Sequence, residues 1–392
     1  MEPAKKNVAV LAACQALLFT NNSTAIALNG LAGYALATNK ALATLPVTAW
    51  VVGGALSTLP ASLLMKRIGR RAGFTVGALM GIIGAAICSF ALYAGDFWLL
   101  CSGTLVFGVH NAVAQYYRFA AADAVSVDFK AKAISLVLAG GLIGGLVGPE
   151  VSKHTVDLLA TRYLGAYLSL IGFLVLAVGV VQLLDIPSPA GDDHKIPARP
   201  LREIMTQPVF IVAVLGASIG YGVMNLLMTA TPLAMGLCGH PYSAAATVIG
   251  WHVVGMFGPS FFTGSLIKRF GVHQVMTMGA LLLYVVVAIA LSGISVPHFW
   301  FALVLLGIGW NFLYIGGTTL ITQVCSAAER AKTQGANESI IFLTMMVTSF
   351  GSGVLIDVKG WQVLNWLAVP FITVAAAAVL WLYFRRRAAV AA

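Results

Sequence analysis

The chain has 392 residues, of which 59% are hydrophobic and only 9% are charged, and its formal net charge is +10. With a mean hydropathy of +0.92, it carries more apolar surface than a water-soluble protein can bury, so the composition excludes the soluble classes. The positive charge is explained by the positive-inside rule of membrane proteins, and we expect no nucleic-acid partner.

Twelve apolar runs follow one another along the chain, each close to the roughly 20 residues that a helix needs to cross a lipid bilayer. They cover residues 7–36, 41–65, 73–94, 97–122, 133–151, 162–185, 208–236, 243–267, 273–293, 297–323, 334–357 and 362–384. The runs are too long and too uniformly apolar for β-barrel strands, and the first continues too far for a cleavable signal. The sequence predicts an all-α polytopic membrane protein with 12 transmembrane helices.

The basic residues are distributed unevenly between alternate loops. If the N-terminus is cytoplasmic, most of the 23 basic residues fall in the inner segments, including Lys5, Lys6 and the run 385–387. Only Lys40, Lys153, Arg162 and Lys359 fall in outer ones. This asymmetry predicts that both termini are cytoplasmic.

The two halves of the sequence repeat each other. Residues 48–69 contain WVVGG and LLMKRIG, and residues 250–271 contain HVVGM and SLIKRFG at an offset of 202. We therefore expect two six-helix bundles, residues 1–185 and 208–392, joined by a polar, proline-rich cytoplasmic linker at 186–207. Parallel repeats with a substrate site between them, near the membrane midplane, are one arrangement of secondary transporters.

The loop between the second and third runs, Lys66-Arg67-Ile68-Gly69-Arg70-Arg71, resembles the signature G-x3-D-R-x-G-R-R of the major facilitator superfamily. It recurs in weaker form at residues 264–271. The resemblance covers the whole chain and implies the major facilitator fold, with Lys66, Arg67, Gly69, Arg70 and Arg71 forming a cytoplasmic gate loop. Lys66 replaces the family's acidic residue, so the resemblance implies a different or weaker latch.

A second motif, Gly144-x3-Gly148-Pro149, is similar to part of the glycine-proline motif of antiporters in the superfamily. Small residues at this spacing also allow close helix packing. Both interpretations stay open from the sequence.

Two pairs of soft donors lie in the seventh and eighth runs: Met224-x3-Met228 and His252-x3-Met256. Residues four apart share one face of a helix, and thioether and imidazole groups suit Cu(I). Methionine pairs also arise by chance as helix lining, whereas a histidine inside a membrane is costly and usually faces a cavity or a partner. The aligned residues of the first half are Asn22, Ile26, Trp50 and Gly54, so the soft donors belong to one half only.

This arrangement resembles the bacterial copper importers of the superfamily, which supply copper to cbb-type cytochrome oxidase. The resemblance implies that Met224, Met228, His252 and Met256 bind copper and that Cys238, in the outer loop, has an accessory role in metal handling. It also implies the bacterial cytoplasmic (inner) membrane. Copper would be a transported substrate, so no resident cofactor is expected. A related group in the same subfamily is associated with riboflavin uptake.

Further polar or aromatic residues inside the runs are candidates for cavity lining: Asn22, Trp50, His110, Asn111, Trp310 and Asn311. They suit a planar organic ligand, although an asparagine also bridges helices in many membrane proteins. Arg118 either contacts an anionic substrate or pairs with Asp123. The acidic residues Asp123, Glu150, Glu338 and Asp357 are placed near helix ends, so no mid-membrane carboxylate that could couple transport to protons is expected.

No hydrolytic constellation and no phosphate-binding GxxxxGK[ST] loop occurs, which excludes an ATP-driven pump and predicts that the chain is not an enzyme. The leading hypothesis is a monomeric secondary transporter that imports copper by alternating access. The alternatives are a carrier of an organic solute, such as riboflavin or a drug, and a copper receptor or oxidase-assembly factor that does not transport.

Overall fold

The structure is a computed structural model that describes residues 3–39, 42, 45–186 and 199–391. Within these residues the chain is helical and contains no strand. The helices of the first half are α1 (Pro3–Leu36), α2 (Leu45–Ile68), α3 (Arg70–Ala94), α4 (Phe97–Ala114), α5 (Tyr117–Asp123), α6 (Lys130–Thr155) and α7 (Leu164–Val181). Those of the second half are α8 (Leu201–Met205), α9 (Pro208–Leu237), α10 (Tyr242–Phe257), α11 (Ser260–Phe270), α12 (Val272–Ser292), α13 (Val296–Val324) and α14 (Arg330–Ala391).

Within the described residues, each of the twelve predicted spans overlaps one or more helices. The fourth span is divided between α4 and α5, the eighth between α10 and α11, and the last two lie on either side of Gly360 within α14, where φ is 77°. In the described part of the chain, nine helical segments have the length and apolar composition needed to cross a membrane. The prediction of an all-α, multi-pass membrane protein is confirmed.

The repeat is visible in the backbone. Gly69, between α2 and α3, has φ 84° and ψ 166°, and Gly271, at the equivalent position between α11 and α12, has φ 93° and ψ 153°. A side chain with a Cβ atom rarely adopts such positive φ values, so glycine lets each chain turn directly into the next helix. The structure thus explains why both copies of the loop motif keep this glycine.

Close helix packing repeats as well. A Cβ atom at Gly53 would collide with the backbone of Leu105 on α4, and one at Gly255 would collide with the backbone of Val304 on α13. In the reverse direction, Gly108 lies against the carbonyl group of Trp50, and Gly307 lies against that of His252. The α2–α4 and α10–α13 pairs are therefore packed backbone to backbone through glycines in equivalent places.

The glycines of the antiporter-like motif also pack a helix pair. Gly144 and Gly148 of α6 lie against the α1 backbone and the Ser23 side chain. The Thr24 hydroxyl donates a hydrogen bond of 2.9 Å to the carbonyl oxygen of Gly148. These contacts give the motif a packing role between α1 and α6.

The chain forms two compact units. The first contains the described parts of Met1–Val125, Gly140–Pro197 and Gln334–Phe342, and the second contains those of Ser126–Ala139, Ala198–Thr333 and Leu343–Ala392. Each unit therefore includes a short segment from the other half of the sequence: the start of α6 lies in the second unit, and residues 334–342 of α14 lie in the first. The division into bundles at 185 and 208 stays a prediction.

Most of the predicted linker, residues 187–198, lies outside the described residues. Its described end is bound to the turn between α13 and α14 by a two-pronged ion pair. Arg199 Nε donates to Glu329 Oε1 at 2.7 Å and Arg199 Nη2 donates to Glu329 Oε2 at 2.7 Å. The Ser326 backbone N–H donates to the same carboxylate at 2.9 Å. These hydrogen bonds, that of Arg199 above all, hold the pKa of Glu329 well below its ordinary value.

Candidate functional site

The four soft donors lie on two helices of the second unit. Met224 and Met256 are buried, Met228 is half-buried, and Cys238 is a free, partly exposed thiol at the C-terminal end of α9. Helices α9 and α10 each pack more extensively against α13 than against each other. Among the described residues, no three His, Cys, Asp or Glu side chains form a cluster that could hold a metal ion.

His252 is fully buried and is held against α13. Its Nδ1 lies 2.7 Å from the carbonyl oxygen of Leu303. Because a carbonyl oxygen only accepts, Nδ1 carries the proton and donates it, which leaves a lone pair on Nε2. That Nε2 atom is buried without a hydrogen-bond partner. An imidazole in this tautomer can accept a hydrogen bond or bind a metal ion.

Asn311 bridges the break between α10 and α11. The break occurs at Gly258-Pro259, where proline lacks the N–H that continues a helix. Asn311 Nδ2 donates to the Met256 carbonyl oxygen at 2.7 Å and to the Ser260 hydroxyl at 2.6 Å, and its Oδ1 accepts from the Thr263 hydroxyl at 2.8 Å. The amide of Asn311, a predicted cavity-lining residue, therefore hydrogen-bonds the junction between α10 and α11.

Trp310 lies at the centre of an aromatic group in the second unit. Its ring stacks on Tyr314, with centroids 4.9 Å apart and an interplanar angle of 20°. Tyr221 of α9 and Phe257 of α10 meet Trp310 edge to face, at 5.4 Å and 5.8 Å. The indole ring is 1% exposed and its Nε1–H has no hydrogen-bond partner. The group therefore combines a planar apolar surface with one unused donor.

Sequence reasoning did not select Tyr221 or Phe257. Tyr221 precedes Met224 by one helical turn, and Phe257 directly follows Met256. Tyr221 is a usable signal, because residues three or four apart share a helix face, whereas Phe257 is adjacent to Met256 and has no such spacing to either soft donor of α10.

The first unit holds a group of buried polar residues. Asn21 is fully buried, and neither its amide nitrogen nor its amide oxygen has a partner. Asn22 Nδ2 donates to Asn111 Oδ1 at 2.9 Å, while Asn22 Oδ1 and Trp50 Nε1 are unpartnered. A buried polar group without a partner costs about 1–3 kcal/mol, so these atoms are suited to bind a polar ligand.

His110, which the sequence placed with these residues, faces a different neighbour. It lies against Gly81 of α3, next to Leu174 of α7, and hydrogen-bonds the backbone of Gly77. Its Nε2 is buried without a partner.

The loop predicted to be a gate is held by a carboxylate that the family signature does not contain. Arg70 Nη2 donates to Asp123 Oδ2 at 2.9 Å and to Gln334 Oε1 at 2.7 Å. Arg71 Nε donates to Gln182 Oε1 at 3.1 Å. Lys66 and Arg67 occupy the last turn of α2. Asp123 at the end of α5 thus provides a carboxylate for this loop, in which lysine replaces the family's acidic residue.

Arg118 has a partner that the sequence did not suggest. Arg70 binds Asp123, and Arg118 pairs with Glu338. The two side chains are each 1% exposed. Arg118 also donates to the Gln115 carbonyl oxygen at 2.9 Å, and Asn337 Nδ2 donates to Glu338 Oε1 at 2.6 Å.

Glu338 is the acidic member of this pair. It is predicted near a helix end and lies within the first turns of α14, but its carboxylate is buried. No sequence pattern pairs it with Arg118, because the two residues are 220 positions apart.

We expect Glu338→Gln to destabilise the protein by about 3–5 kcal/mol, because it leaves the Arg118 guanidinium buried without a counter-charge. The double variant Arg118→Met with Glu338→Leu should recover most of that loss. Thermal unfolding of the purified protein in detergent measures both, with Glu150→Gln as a control on an exposed carboxylate. A Glu338→Gln protein as stable as the parent would contradict the assigned ion pair.

A family model and several known proteins match this chain over most of its length. The sequence matches the model of the Major Facilitator Superfamily at residues 11–259 and 240–392. The riboflavin transporter RfnT of Brucella anthropi is 42% identical over 372 residues, which is 94% of each chain. The uncharacterized MFS-type transporter YddS of Bacillus subtilis is 30% identical over 378 residues, covering 88% of this chain and 83% of the relative.

Among solved structures, the human organic anion transporter MFSD10 (TETRAN) matches with a TM-score of 0.78 at 12% identity, covering 97% of this chain and 100% of that chain. At this identity the likeness shows the fold alone. The predicted fold, with twelve helices in two six-helix repeats, is confirmed. The prediction that the chain is a secondary transporter and not an enzyme is confirmed as well. The chain belongs to the Major Facilitator Superfamily.

Proposed function

We propose that this transporter carries riboflavin, or an organic solute with the same planar ring chemistry, into the cell. The observation that carries the proposal is the 42% identity to a riboflavin transporter over 94% of both chains. This reverses the order of the two sequence-based hypotheses, in which copper came first. The positive-inside distribution supports the cytoplasmic membrane, both termini inside, and we retain a monomer as the working unit.

The aromatic group of the second unit supports a flat cargo. The isoalloxazine ring of riboflavin is a planar, largely apolar system with a polar edge. The rings of Trp310 and Tyr314 are buried and stacked on each other, so a flavin ring would contact them by parting the pair, and the unpartnered Trp310 Nε1–H offers a donor for its polar edge. A stacked ring of this kind contributes about 1–3 kcal/mol of binding energy.

The buried amides of the first unit support a polar organic cargo as well. Asn21 retains both its donors and its acceptor, and Asn22 retains its acceptor. A hydroxylated chain or a pyrimidine-like edge both donates and accepts, which matches amide groups. A bare metal cation only accepts electron pairs and would leave the amide donors unused.

Copper is the second candidate, and one observation favours it. The His252 tautomer leaves a buried Nε2 lone pair that no protein group uses, as a metal ligand requires. Met256 lies one helical turn further along α10 and is also buried. These two residues and α9's Met224 and Met228 make up the proposed donor set, with Cys238 as its proposed accessory.

We expect Trp310→Ala to raise the riboflavin concentration for half-maximal uptake about tenfold, because the stacking surface is lost. Trp310→Phe keeps a ring without the Nε1–H and should have a smaller effect. The measurement is uptake of radiolabelled riboflavin by riboflavin-requiring cells that express the chain. Trp366→Ala, at an exposed tryptophan of α14, is the matched control. Unchanged uptake in a folded, abundant Trp310→Ala protein would refute this role.

Replacing Met224, Met228 and Met256 together by leucine separates the two cargoes. Leucine keeps the volume of methionine but removes the thioether sulfur, so the fold should tolerate it. We expect riboflavin uptake by the triple variant to stay within about twofold of the parent. Parallel measurement of cellular copper completes the experiment. If copper accumulation depends on the chain and disappears in the triple variant, copper is the cargo and the riboflavin proposal fails.

A further inference from the structure

A cavity of about 440 Å³ opens in the second unit where the start of α6 meets the ends of α11 and α13. We call it the α6–α11–α13 cavity. Its polar lining consists of Asp128, Lys130, Lys268, Thr319, Thr322 and Gln323. None of these residues belongs to the soft donors, the aromatic group or the buried amides. Its volume falls within the range of small-molecule sites.

The charge of this cavity is positive. Lys130 and Lys268 line it, and in the described part of the chain no carboxylate pairs with either ammonium group. Arg386, near the end of α14, donates to Gln323 Oε1 at 3.5 Å, which brings a guanidinium group to the cavity edge. Asp128 is the acidic member of the lining. Three cationic groups and one carboxylate leave a net charge of about +2 at neutral pH.

The hydrogen-bonding groups complement the charge. The Gln323 side-chain oxygen accepts a hydrogen bond from Arg386. The amide nitrogen of Gln323 is therefore the atom that can donate hydrogen bonds to a ligand. The Thr319 and Thr322 hydroxyls donate to the carbonyl oxygens of Ile315 and Thr319 at 2.8 Å and 2.7 Å. The lining thus offers ammonium, guanidinium and amide donors, which an anion with several acceptor oxygens satisfies.

We propose that the α6–α11–α13 cavity binds a phosphate monoester. Such a group carries a charge of about −1.5 to −2 at pH 7 and three acceptor oxygens, which matches the net charge and the donors of the cavity. Lys130 and Lys268 contact the phosphate, and Arg386 and the Gln323 amide complete its shell. A carboxylate, with a single charge, would leave part of this positive charge without a partner.

The position of the cavity admits two sources of this chemistry. It lies at helix ends. We expect the bilayer to give way to water at the ends of spanning helices, so a phosphatidic acid headgroup and a soluble phosphate ester would both reach it. Either ligand would join the start of α6 to the ends of α11, α13 and α14 within the second unit. A ligand that binds the folded chain but not the unfolded chain also raises the stability of the folded protein.

The experiment is calorimetric titration of the detergent-purified full chain with two probes in separate arms. One arm uses inorganic phosphate and the other uses short-chain phosphatidic acid dispersed in the same micelles, both at constant ionic strength set with chloride. We expect saturable binding in at least one arm, and the arm that responds identifies the soluble or the lipid source.

Two variants and one control test the assignment of the residues. Lys130→Ala with Lys268→Ala should weaken binding at least about tenfold, because two charged donors are lost. Gln323→Glu keeps both lysines but places a negative charge in the cavity, so it should weaken binding to a similar degree. The matched control removes two exposed lysines elsewhere, Lys153→Ala with Lys359→Ala, and should leave the affinity unchanged.

Absence of binding in both arms would overturn the proposal. So would equal affinity in the parent, the Lys130/Lys268 variant and the Gln323→Glu variant. If the double lysine variant fails to fold, Gln323→Glu decides alone, because it removes no basic residue.

Discussion

The ion pair between Arg118 and Glu338 is the interaction on which the rest of the first unit depends. Two charges that are each 1% exposed have lost their hydration, at a free-energy cost of several kcal/mol per ion. Their mutual attraction and the added hydrogen bonds from Arg118 to Gln115 and from Asn337 to Glu338 offset that cost. A buried charge without its partner is strongly destabilising, so the pair holds residues 334–342 of α14 against α5. Arg70 hydrogen-bonds Asp123 of α5 and Gln334 of α14. The loop predicted to be a gate is therefore attached to the same two helices as the ion pair.

Much of the architecture follows from local properties of the sequence. Apolar runs of the right length predict spans, and the repeated Gly69 and Gly271 predict equivalent turns because their positive φ values favour glycine. Contacts between distant residues do not follow in this way. Nothing near Arg118 in the sequence distinguishes Glu338 from Asp123 as its partner. Asn311 is similar: its polarity left cavity lining and helix bridging both open, and its amide hydrogen-bonds the Met256 carbonyl and the Ser260 and Thr263 hydroxyls on either side of the Gly258-Pro259 break.

The candidate site illustrates why cargo is harder to predict than fold. The soft donors stand out in the sequence because methionine and histidine at helical spacing have a specific metal chemistry. The residues that favour an organic cargo are common types whose significance lies in their environment, such as Asn21 with no partner and Trp310 stacked on Tyr314. Unused hydrogen-bonding capacity becomes visible only when every neighbour is known. His252 suits both accounts, since its free Nε2 accepts a hydrogen bond as readily as it binds a metal.

The central claim is that the cargo is a planar organic solute and not a copper ion. The most direct test is transport by the purified chain in proteoliposomes that contain no other protein, with riboflavin and Cu(I) supplied in parallel. The account predicts that riboflavin accumulates inside the vesicles in a saturable manner while copper does not exceed the level of empty liposomes. Copper accumulation without riboflavin transport would contradict it.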